Sequence, residues 1–458
     1  MYNNEVQFTR RQFIRNSLAV SASVALLGLP EISAAKSGEK PPNFIIIFAD
    51  DLGYADLSCY GAKEINTPRL DQMAAEGIKF TDFYSAAPVC TPSRAALLTG
   101  CYPKRVGLPT VLRPNAKVGL NPDEITIADV LKSKGYATAC IGKWHLGDNP
   151  RFMPTKHGFD YFFGLPYSND MKPLPLMRGE KVIEQPVLQE TLTERYTQEA
   201  IRFITENKDR PFFLYLPHTF PHIPLHISDE FKDKSKRGLY GDVVERIDWS
   251  TGEILDTLKK LGLDENTMVV FTSDNGPWLI QGKNGGGALP LRDGKSTCWE
   301  GGMREPCIMR WPGRIPDHSV CSEVATMMDL YPTMAKLAGA GVPQDRIVDG
   351  KDIRPLVFGT HGAQSPYHAF FYYRVNELWA VRSGRWKLML EHTDKKSKAV
   401  VPQALYDLQE DIGETTDVSA RYPKLVNRLL SMAEQCREDL GDAITGKVGK
   451  NCRPAGSI

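Results

Sequence analysis

The chain has 458 residues, of which 42% are hydrophobic and 24% are charged, a composition typical of globular proteins. This length is sufficient for one large domain with a smaller one attached. The formal net charge of +1 gives no general electrostatic reason to bind nucleic acid, so we expect no nucleic-acid partner.

The N-terminus has the pattern of an export signal. Thr9-Arg10-Arg11-Gln12-Phe13 precedes an apolar stretch from Leu18 to Leu29, and the small residues Ser33-Ala34-Ala35 follow. The stretch is too short to span a membrane, and the paired arginines resemble a twin-arginine signal. We therefore expect a bacterial periplasmic or secreted protein that uses the twin-arginine export machinery and has no stable membrane anchor. Residues 1–35 would be the signal and residues 36–42 a linker.

Strand and helix patterns alternate between residues 43 and 359. The candidate strands are short, apolar and rich in β-branched residues: Asn43–Ala49, Tyr136–Ile141, Pro211–Leu216, Met268–Ser273 and Cys307–Trp311. The helical patterns between them are Pro68–Glu76, Ile125–Lys134, Glu190–Asn207 and Gly241–Leu261. This alternation predicts an α/β sandwich with a largely parallel central sheet.

Beyond residue 359, short strand patterns follow one another without helices between them. They are Ala369–Arg374, Trp379–Ser383, Trp386–Leu390 and Leu405–Leu408, and a helical pattern over Tyr422–Leu440 comes after them. We expect a small antiparallel sheet with one packed helix. Residues 360–458 would then form a second domain after a catalytic domain at 43–359.

Two of the candidate strands end in pairs of oxygen-bearing side chains. Asp50-Asp51 follows the first strand and Asp274-Asn275 follows the strand that ends at Ser273. Ligands of open α/β sheets collect outside the carboxyl ends of the strands. One such pair is compatible with a turn and a helix cap. Two such pairs at the ends of two central strands would bring several carboxylates close together, and these would need a counter-ion. Their hard oxygen atoms suit calcium or magnesium better than zinc.

Cys90-Thr91-Pro92-Ser93-Arg94 begins an apolar helical pattern. It places a cysteine at a helix N-terminus and an arginine one turn later, two features that favour a bound anion. Cys-x-Pro alone is more simply a buried cysteine at a helix start. With Leu98-Thr99-Gly100 behind it, the pattern resembles the signature of the type I sulfatases. In that family a formylglycine-generating enzyme oxidises the cysteine to Cα-formylglycine, so the resemblance implies that Cys90 is a precursor.

A second signature of the same family is similar to the segment from Gly135 to His145. Its candidate strand runs into a turn at Gly142, and side-chain alternation would place Lys143 and His145 on one side. An ammonium group and an imidazole beside an anion can bind sulfate and move protons. Without the resemblance, the lysine and the histidine of Lys-Trp-His would be interpreted as ordinary surface polar residues on either side of a packed tryptophan.

Three histidines, His218, His222 and His226, occur at intervals of four after the Pro211 strand. Pro221 and Pro224 would break a helix there, so this spacing does not predict a helical metal site. The sequence around His222 resembles the Pro-His-x-Pro of sulfatases, which implies a catalytic role for His222. We expect the other two histidines to be structural or to lie at the rim.

Gly294-Lys295-Ser296-Thr297 is similar to the end of a phosphate-binding P-loop, but the upstream glycine spacing is wrong and we expect no helix after it. Within the family resemblance, Lys295 matches the lysine that contacts sulfate. Tyr167-Ser168-Asn169-Asp170 resembles the segment whose serine, here Ser168, supports the histidine at the position of His145.

The resemblance extends from Asn43 to the C-terminal helix and is strongest to the branch of arylsulfatase A and N-acetylgalactosamine-6-sulfatase. It implies an alkaline-phosphatase-like fold and a formylglycine hydrate that attacks sulfate esters. Arg94, Lys143 and Lys295 would stabilise charge, His222 would protonate the leaving group, and His145 would act as a base. It also implies one calcium ion, Ca2+, bound by Asp50, Asp51, Cys90, Asp274 and Asn275.

The expected substrate is a sulfate ester on a terminal sugar of a glycan, removed in exo fashion, with the 6-position of a galactose-type sugar as the first choice. One alternative is a phosphodiester or phosphonate monoester hydrolase of the same superfamily. Another is a catalytically silent protein that binds sulfated glycans, although intact Cys90, Arg94 and His222 argue against it. The nine cysteines show no zinc-binding spacing, and their pairing stays open.

Overall fold

A computed structural model of the chain describes residues 40–393 and 398–458. The expected signal and most of the expected linker lie outside these residues. Lys40–Ile458 forms one compact unit, so the division between residues 359 and 360 stays a prediction. In the described part of the chain, no helix combines the length and the apolar character needed to cross a bilayer.

The secondary structure follows the alternation predicted from the sequence. The strands of the described residues are β1 Asn43–Ala49, β2 Gly77–Tyr84, β3 Val118–Gly119, β4 Ala137–Lys143, β5 Tyr161–Leu165, β6 Leu176–Arg178, β7 Lys181–Glu184, β8 Phe212–Pro217, β9 Thr267–Ser273, β10 Arg304–Arg310, β11 Ser319–Cys321, β12 Ala325–Thr326, β13 Phe370–Arg374, β14 Glu377–Ser383, β15 Trp386–Met389, β16 His392–Thr393, β17 Val400–Val401, β18 Ala404–Asp407, β19 Gly441–Asp442, β20 Lys447–Val448 and β21 Gly456–Ser457. The α-helices are α1 Pro68–Ala75, α2 Cys90–Thr99, α3 Ile127–Lys132, α4 Leu192–Glu206, α5 Leu239–Lys260, α6 Glu300–Met303, α7 Leu330–Leu337, α8 Arg354–Val357 and α9 Pro423–Leu440.

The central sheet has the strand order β11-β2-β10-β9-β1-β8-β4-β5-β6-β7, with β12 also paired to β2. The five strands from β9 to β5 run parallel to one another, whereas β10 pairs antiparallel with β9 and β2. The largely parallel sheet predicted from the sequence is therefore confirmed.

Strand β1 explains why the apolar runs are continuous. Its odd and even residues enter two different hydrophobic cores: Phe44, Ile46 and Phe48 face one, and Ile45 and Ile47 face the other. Helices α2, α3 and α7 pack in the first core, and α1, α4 and α5 pack in the second. Because both faces of the sheet are covered, its central strands contain no polar side of the kind seen in exposed sheets.

Several elements differ from the sequence-based expectation. Strand β2, which lies between β10 and β11, was not predicted because its polar and apolar residues are mixed, and the β5–β7 strands were also missed. Strand β10 begins at Arg304, three residues before the predicted start. Pro306 is tolerated there because the pairing with β2 shifts register between Glu305 and Cys307.

The C-terminal part contains the predicted antiparallel sheet, with the order β13-β14-β15-β18. Helix α9 buries an apolar face that includes Val426, Leu429 and Ala433. These residues belong to the same hydrophobic core as helix α2. The core is therefore continuous between the C-terminal sheet and the central sheet.

A buried ionic cluster also joins the two sheets. Glu300, in α6, lies 3.0 Å from Lys387 Nζ in β15, and Lys387 Nζ lies 2.7 Å from Glu414 Oε1. The Tyr372 hydroxyl donates a 2.9 Å hydrogen bond to Glu300. We call Glu300, Lys387, Glu414 and Tyr372 the Glu300 cluster. Its three charged side chains are fully buried, so each of them depends on its partners for solvation.

This arrangement predicts a large effect of Lys387→Met on stability. The substitution removes the cation that contacts both carboxylates: Glu414 loses its 2.7 Å ion pair, and Glu300 keeps the more distant Arg304 at 3.4 Å and Arg382 at 3.9 Å. We expect the free energy of unfolding to fall by about 3–5 kcal/mol. Denaturant unfolding of the purified protein measures the change. The matched control is Lys156→Met, which removes an exposed 3.0 Å ion pair with Glu180 and should cost less than about 1 kcal/mol. Equal losses in the two variants would contradict the role given to the Glu300 cluster.

Candidate active site

The carboxyl ends of four neighbouring parallel strands meet at one edge of the central sheet, in the order β9, β1, β8 and β4. Ala49 of β1 pairs with Ser273 of β9, which brings Asp50-Asp51 beside Asp274-Asn275. Strand β4 ends at Lys143. Side chains that are far apart in the sequence thus converge at the edge where the strand pattern predicts a ligand site.

Helix α2 begins at Cys90 beside this edge, and all ten of its residues are buried. Arg94 Nη2 lies 2.8 Å from Asp274 Oδ2 and 3.4 Å from Asp50 Oδ2. Arg94 Nη1 donates a 2.9 Å hydrogen bond to the carbonyl oxygen of Lys143, and Ser93 Oγ donates to that of Asp274. The helix start is therefore tied to the ends of β1, β4 and β9.

Two lysines neutralise the remaining carboxylate charge. Lys143 Nζ lies 2.5 Å from Asp50 Oδ2, and Lys295 Nζ lies 2.6 Å from Asp51 Oδ2. Burial alone would raise the pKa of Asp50, but Lys143 and Arg94 outweigh it and hold that pKa below its usual range. Three carboxylates and three cations balance in this cluster: Asp50, Asp51, Asp274, Arg94, Lys143 and Lys295.

The Cys90 side chain lies within this charged cluster. Its Sγ is 3.5 Å from Asp50 Oδ1 and 3.7 Å from Lys295 Nζ. Burial raises the pKa of the thiol well above its usual range, although Lys143 and Lys295 oppose the shift. An unmodified Cys90 is therefore a neutral thiol at physiological pH and a poor nucleophile.

His222 lies in the loop after β8, not on a helix. Its Nδ1 is 2.5 Å from the Ile223 carbonyl oxygen and 3.2 Å from Asn169 Oδ1, and its Nε2 is 3.6 Å from Asp51 Oδ2. The carbonyl can only accept, so Nδ1 carries a proton and Nε2 is the nitrogen that faces the carboxylates. Burial lowers the pKa of His222, and the Asp51 carboxylate opposes this shift.

The other two histidines of the loop lie apart from the carboxylates. His218 is fully buried against Tyr196, with ring centroids 6.4 Å apart, and His226 is half-buried. Neither has a hydrogen bond to a residue of the charged cluster within the described chain. The expectation that the spacing of four does not define a helical metal site is in line with this geometry.

His145 is close to the site, but not for the reason given by side-chain alternation. Its backbone is left-handed, with φ of 60°, so the chain turns there instead of continuing as a strand. His145 Nε2 lies 2.9 Å from the Leu112 carbonyl oxygen, and its Nδ1 is buried without a hydrogen-bond partner. Burial lowers the pKa of His145 well below its usual range, and Lys143 and Arg94 lower it further.

The expected support of His145 by Ser168 is not formed. Ser168 Oγ accepts a 3.1 Å hydrogen bond from Lys143 Nζ instead. The serine therefore helps to orient the ammonium group that also contacts Asp50. Sequence similarity placed Ser168 in the right neighbourhood, but the partner of a hydroxyl depends on loop geometry that the sequence does not reveal.

The segment around Lys295 differs from a P-loop in its backbone contacts. The Lys295 N–H donates to the Pro277 carbonyl oxygen at 2.9 Å, and the Ser296 N–H donates to that of Pro88 at 2.9 Å. These amide groups are therefore not available to cradle a phosphate. The four-residue helix α6 does follow the segment, which corrects the expectation that no helix would.

The candidate metal-binding cluster consists of Asp50, Asp51, Cys90 and His222, whose potential ligand atoms all lie within 4.8 Å of one another. Asn275 adds a buried Oδ1 that has no hydrogen-bond partner, while its Nδ2 donates to Asp51 Oδ1 at 2.8 Å. Burial and the Asp50 carboxylate raise the pKa of Asp274, despite Arg94. An unpartnered amide oxygen beside crowded carboxylates is a set of donors suited to a hard cation.

The remaining expected ligand, Asp274, is already engaged by protein groups. Its Oδ1 accepts a 3.0 Å hydrogen bond from the Asp51 N–H, and its Oδ2 faces Arg94. A carboxylate has about four lone-pair sites, so these contacts leave capacity for a cation.

Two residues at the site were not selected from the sequence. Asn169, next to Ser168, contacts His222. The Trp278 ring centre lies 4.4 Å from Lys295 Nζ and 5.7 Å from the ring centre of His222. The only sequence signal for Trp278 was its position three residues after Asn275, at the end of the same strand.

Two family models and several curated proteins match this chain. The model of the Sulfatase family matches residues 42–340, and that of the N-sulphoglucosamine sulphohydrolase C-terminal region matches residues 293–439. Arylsulfatase A of Homo sapiens is 40% identical over 431 residues, 84% of each chain. N-acetylgalactosamine-6-sulfatase of Canis lupus familiaris is 44% identical over 380 residues, 77% of this chain and 72% of the relative.

A solved structure gives the same result for the fold. The crystal structure of Ps i-CgsB in complex with k-i-k-neocarrahexaose is 33% identical, with a TM-score of 0.77 over 86% of this chain and 92% of the other. The alkaline-phosphatase-like fold expected from the sequence is confirmed by such structural neighbours. The chain therefore belongs to the sulfatase family and is a sulfuric ester hydrolase.

Proposed function

We propose that this sulfatase works with one bound calcium ion and with Cα-formylglycine produced from Cys90, and that it removes sulfate from terminal sugars of glycans. The observation that carries the proposal is the convergence of Cys90 with three carboxylates and three cations at one edge of the sheet. These groups form a compact buried site whose charges suit an anionic ester.

The proposed calcium ligands are Asp50, Asp51, Asp274, Asn275 and residue 90. The unpartnered Oδ1 of Asn275 and the close approach of Asp50 and Asp51 support this set. When bound, calcium would add positive charge for the oxygens of the sulfate group. Because the protein charges of the cluster already balance, a divalent ion would make the site net positive and favourable for an anionic substrate.

The modification of Cys90 is supported by the intact Cys-x-Pro-Ser-Arg pattern and by the poor reactivity of the buried thiol. The aldehyde, once hydrated, would supply the nucleophilic hydroxyl and a second hydroxyl that allows the sulfate to be released. Cys90 is only 2% exposed in the fold. A formylglycine-generating enzyme must therefore act before the chain has folded, and before any export of the folded protein.

The protein side chains have separate tasks around these groups. Lys143 and Lys295 would hold sulfate oxygens, and Arg94 would keep the carboxylates and helix α2 in place. With both ring nitrogens protonated, His222 would pass the Nε2 proton to the leaving oxygen and keep the Nδ1 proton that it donates to the Ile223 carbonyl oxygen. The unpartnered Nδ1 of His145 would accept a proton from residue 90 during sulfate release.

The proposed substrate class rests on relatives and on the position of the C-terminal sheet. N-acetylgalactosamine-6-sulfatases are among the relatives, and Ps i-CgsB was solved with a neocarrahexaose. Arg374, at the end of β13, donates a 2.8 Å hydrogen bond to the Ser296 carbonyl oxygen, which brings the C-terminal sheet beside the Lys295 segment. A sheet on this side of the site would favour a chain end over the middle of a polymer, and a galactose-type 6-sulfate is our first choice. The N-terminal sequence supports a periplasmic or secreted location by twin-arginine export.

The modification predicts a mass change at residue 90. Peptide mass analysis of protein co-produced with a formylglycine-generating enzyme should find the aldehyde or its hydrate in place of the thiol. Cys90→Ala should not hydrolyse sulfate esters and should bind calcium more weakly, because it removes one of the proposed ligands, whereas Cys101→Ala, which removes another buried thiol, should retain the aldehyde and activity. Full activity in protein that carries only unmodified Cys90 would contradict the proposal.

The metal site predicts a specific effect of Asn275→Ala. Loss of an oxygen ligand should weaken calcium binding at least about tenfold and lower turnover with it. Calorimetric titration of metal-free protein and elemental analysis measure the change from one calcium ion per chain. Asn266→Ala, just before the opposite end of β9, is the control and should behave like the wild type. Unchanged calcium content and turnover in Asn275→Ala would exclude this ligand set.

The proposed proton transfer predicts that His222→Ala distinguishes two kinds of ester. A sugar alkoxide needs a proton as it leaves, so kcat for a sugar sulfate should fall by about 10²–10⁴-fold. An aryl sulfate releases a stable phenolate and should lose much less. The control is His226→Ala in the same loop, which should change neither rate. Equal losses on both esters in His222→Ala would argue against His222 as the acid.

A further inference from the structure

Trp278 occupies a position that the catalytic assignments leave unexplained. Its indole lies beside the Lys295 ammonium, with 4.4 Å between Nζ and the ring centre, and beside the His222 imidazole, with 5.7 Å between ring centres. The indole is partly exposed, and the next two residues, Leu279 and Ile280, are 39% and 69% exposed. Trp278 therefore adjoins two of the proposed catalytic groups, and two exposed apolar residues follow it in the chain. We call Trp278, Leu279 and Ile280 the apolar wall.

The backbone holds this wall in place. The Pro277 carbonyl oxygen accepts from the Lys295 N–H at 2.9 Å, and the Trp278 carbonyl oxygen accepts from the Gln281 N–H at 3.0 Å. A Cβ at Gly285 would lie 2.3 Å from the Trp278 carbonyl oxygen, so a glycine is needed where the loop passes this turn. Because Trp278 follows Asn275 by three residues, its place is fixed relative to the end of β9.

The two neighbours of Trp278 define a direction through the site. In the proposed function, Lys295 holds the sulfate and His222 protonates the leaving oxygen. The bond that breaks therefore lies between these two groups, and the leaving group extends beyond the oxygen near His222. Since the indole contacts this region, the first ring of the leaving group must pass close to it.

We propose that the apolar wall, with Trp278 at its centre, forms the subsite for the leaving group and selects a pyranose ring whose C–H face packs on the indole. This inference rests on the proposed function and adds the residue that determines specificity. An indole offers a large rigid apolar face with little conformational entropy to lose, and a few polar groups nearby supply orientation. Here His222 and Lys295 supply the polar contacts at the sulfate end of the same ring.

A different role for Trp278 would be to position Lys295 through the cation–π contact. The two roles differ in what a Trp278 variant does to ligands that lack a leaving group. Inorganic sulfate occupies only the sulfate end, so its inhibition constant reports on Lys295. An acyclic alkyl sulfate has the ester but no ring to pack on the wall.

The test compares Trp278→Ala, Trp278→Phe and the wild type, each with residue 90 converted and calcium bound. For N-acetylgalactosamine 6-sulfate, kcat/KM should fall at least about tenfold in Trp278→Ala and less in Trp278→Phe, which keeps an aromatic face. The inhibition constant of inorganic sulfate and kcat/KM for ethyl sulfate should stay within about twofold of the wild type. Trp386→Ala, which removes a partly buried tryptophan packed on Tyr422, controls for general effects on folding.

Two results would overturn the inference. Equal losses for the sugar sulfate and ethyl sulfate, together with weaker inhibition by sulfate, would mean that Trp278 acts through Lys295. Unchanged kinetics with the sugar sulfate in Trp278→Ala would mean that the ring does not contact the wall. Failure of the wild-type protein to hydrolyse any of these esters would instead contradict the proposed function, so the two failures are distinguishable.

Discussion

The buried contacts of Arg94 are the constraint on which the site depends. Its guanidinium group is fully buried, always charged, and joined to Asp274, Asp50 and the carbonyl oxygen of Lys143. Without it, two carboxylates at the ends of β1 and β9 would face each other in a medium that cannot solvate them. The same side chain fixes the start of α2, and therefore Cys90, against the sheet. Arg94 therefore both neutralises these carboxylates and positions Cys90.

The sequence predicted the fold because buried parallel strands have a strong signature. Continuous apolar runs predicted β1 with its observed bounds and β9 to within one residue. The C-terminal sheet was predicted from the succession of short strand patterns that have no helices between them. Strand β2 was not predicted because its sequence mixes polar and apolar residues, although the strand is internal to the sheet. The periodicity of apolar residues indicates which face of a strand is buried, but it does not indicate which strands become neighbours in the sheet.

The sequence was sufficient to predict which residues at strand ends and helix starts belong to the site. It was not sufficient to predict which side chains contact one another there. Asp50 and Asp274 meet because parallel strands end at one edge, which topology alone implies. The contact of Ser168 with Lys143, and that of Asn169 with His222, depend on loop conformations. Trp278 was not selected for a related reason, because an aromatic residue in a loop usually serves to pack the loop. Only its contacts with Lys295 and His222 support the proposed role in recognition.

The Glu300 cluster affects how the protein unfolds. Helix α6, which carries Glu300, follows the Lys295 segment after a few residues, and the preceding loop is held by Pro277. A strand of the C-terminal sheet that detached would leave Glu300 without Lys387 and would release one end of that segment. The segment that contains Lys295 is therefore connected to both sheets. We therefore expect detachment of the C-terminal sheet to disturb the site as well, so that partly opened forms that retain an intact site are disfavoured.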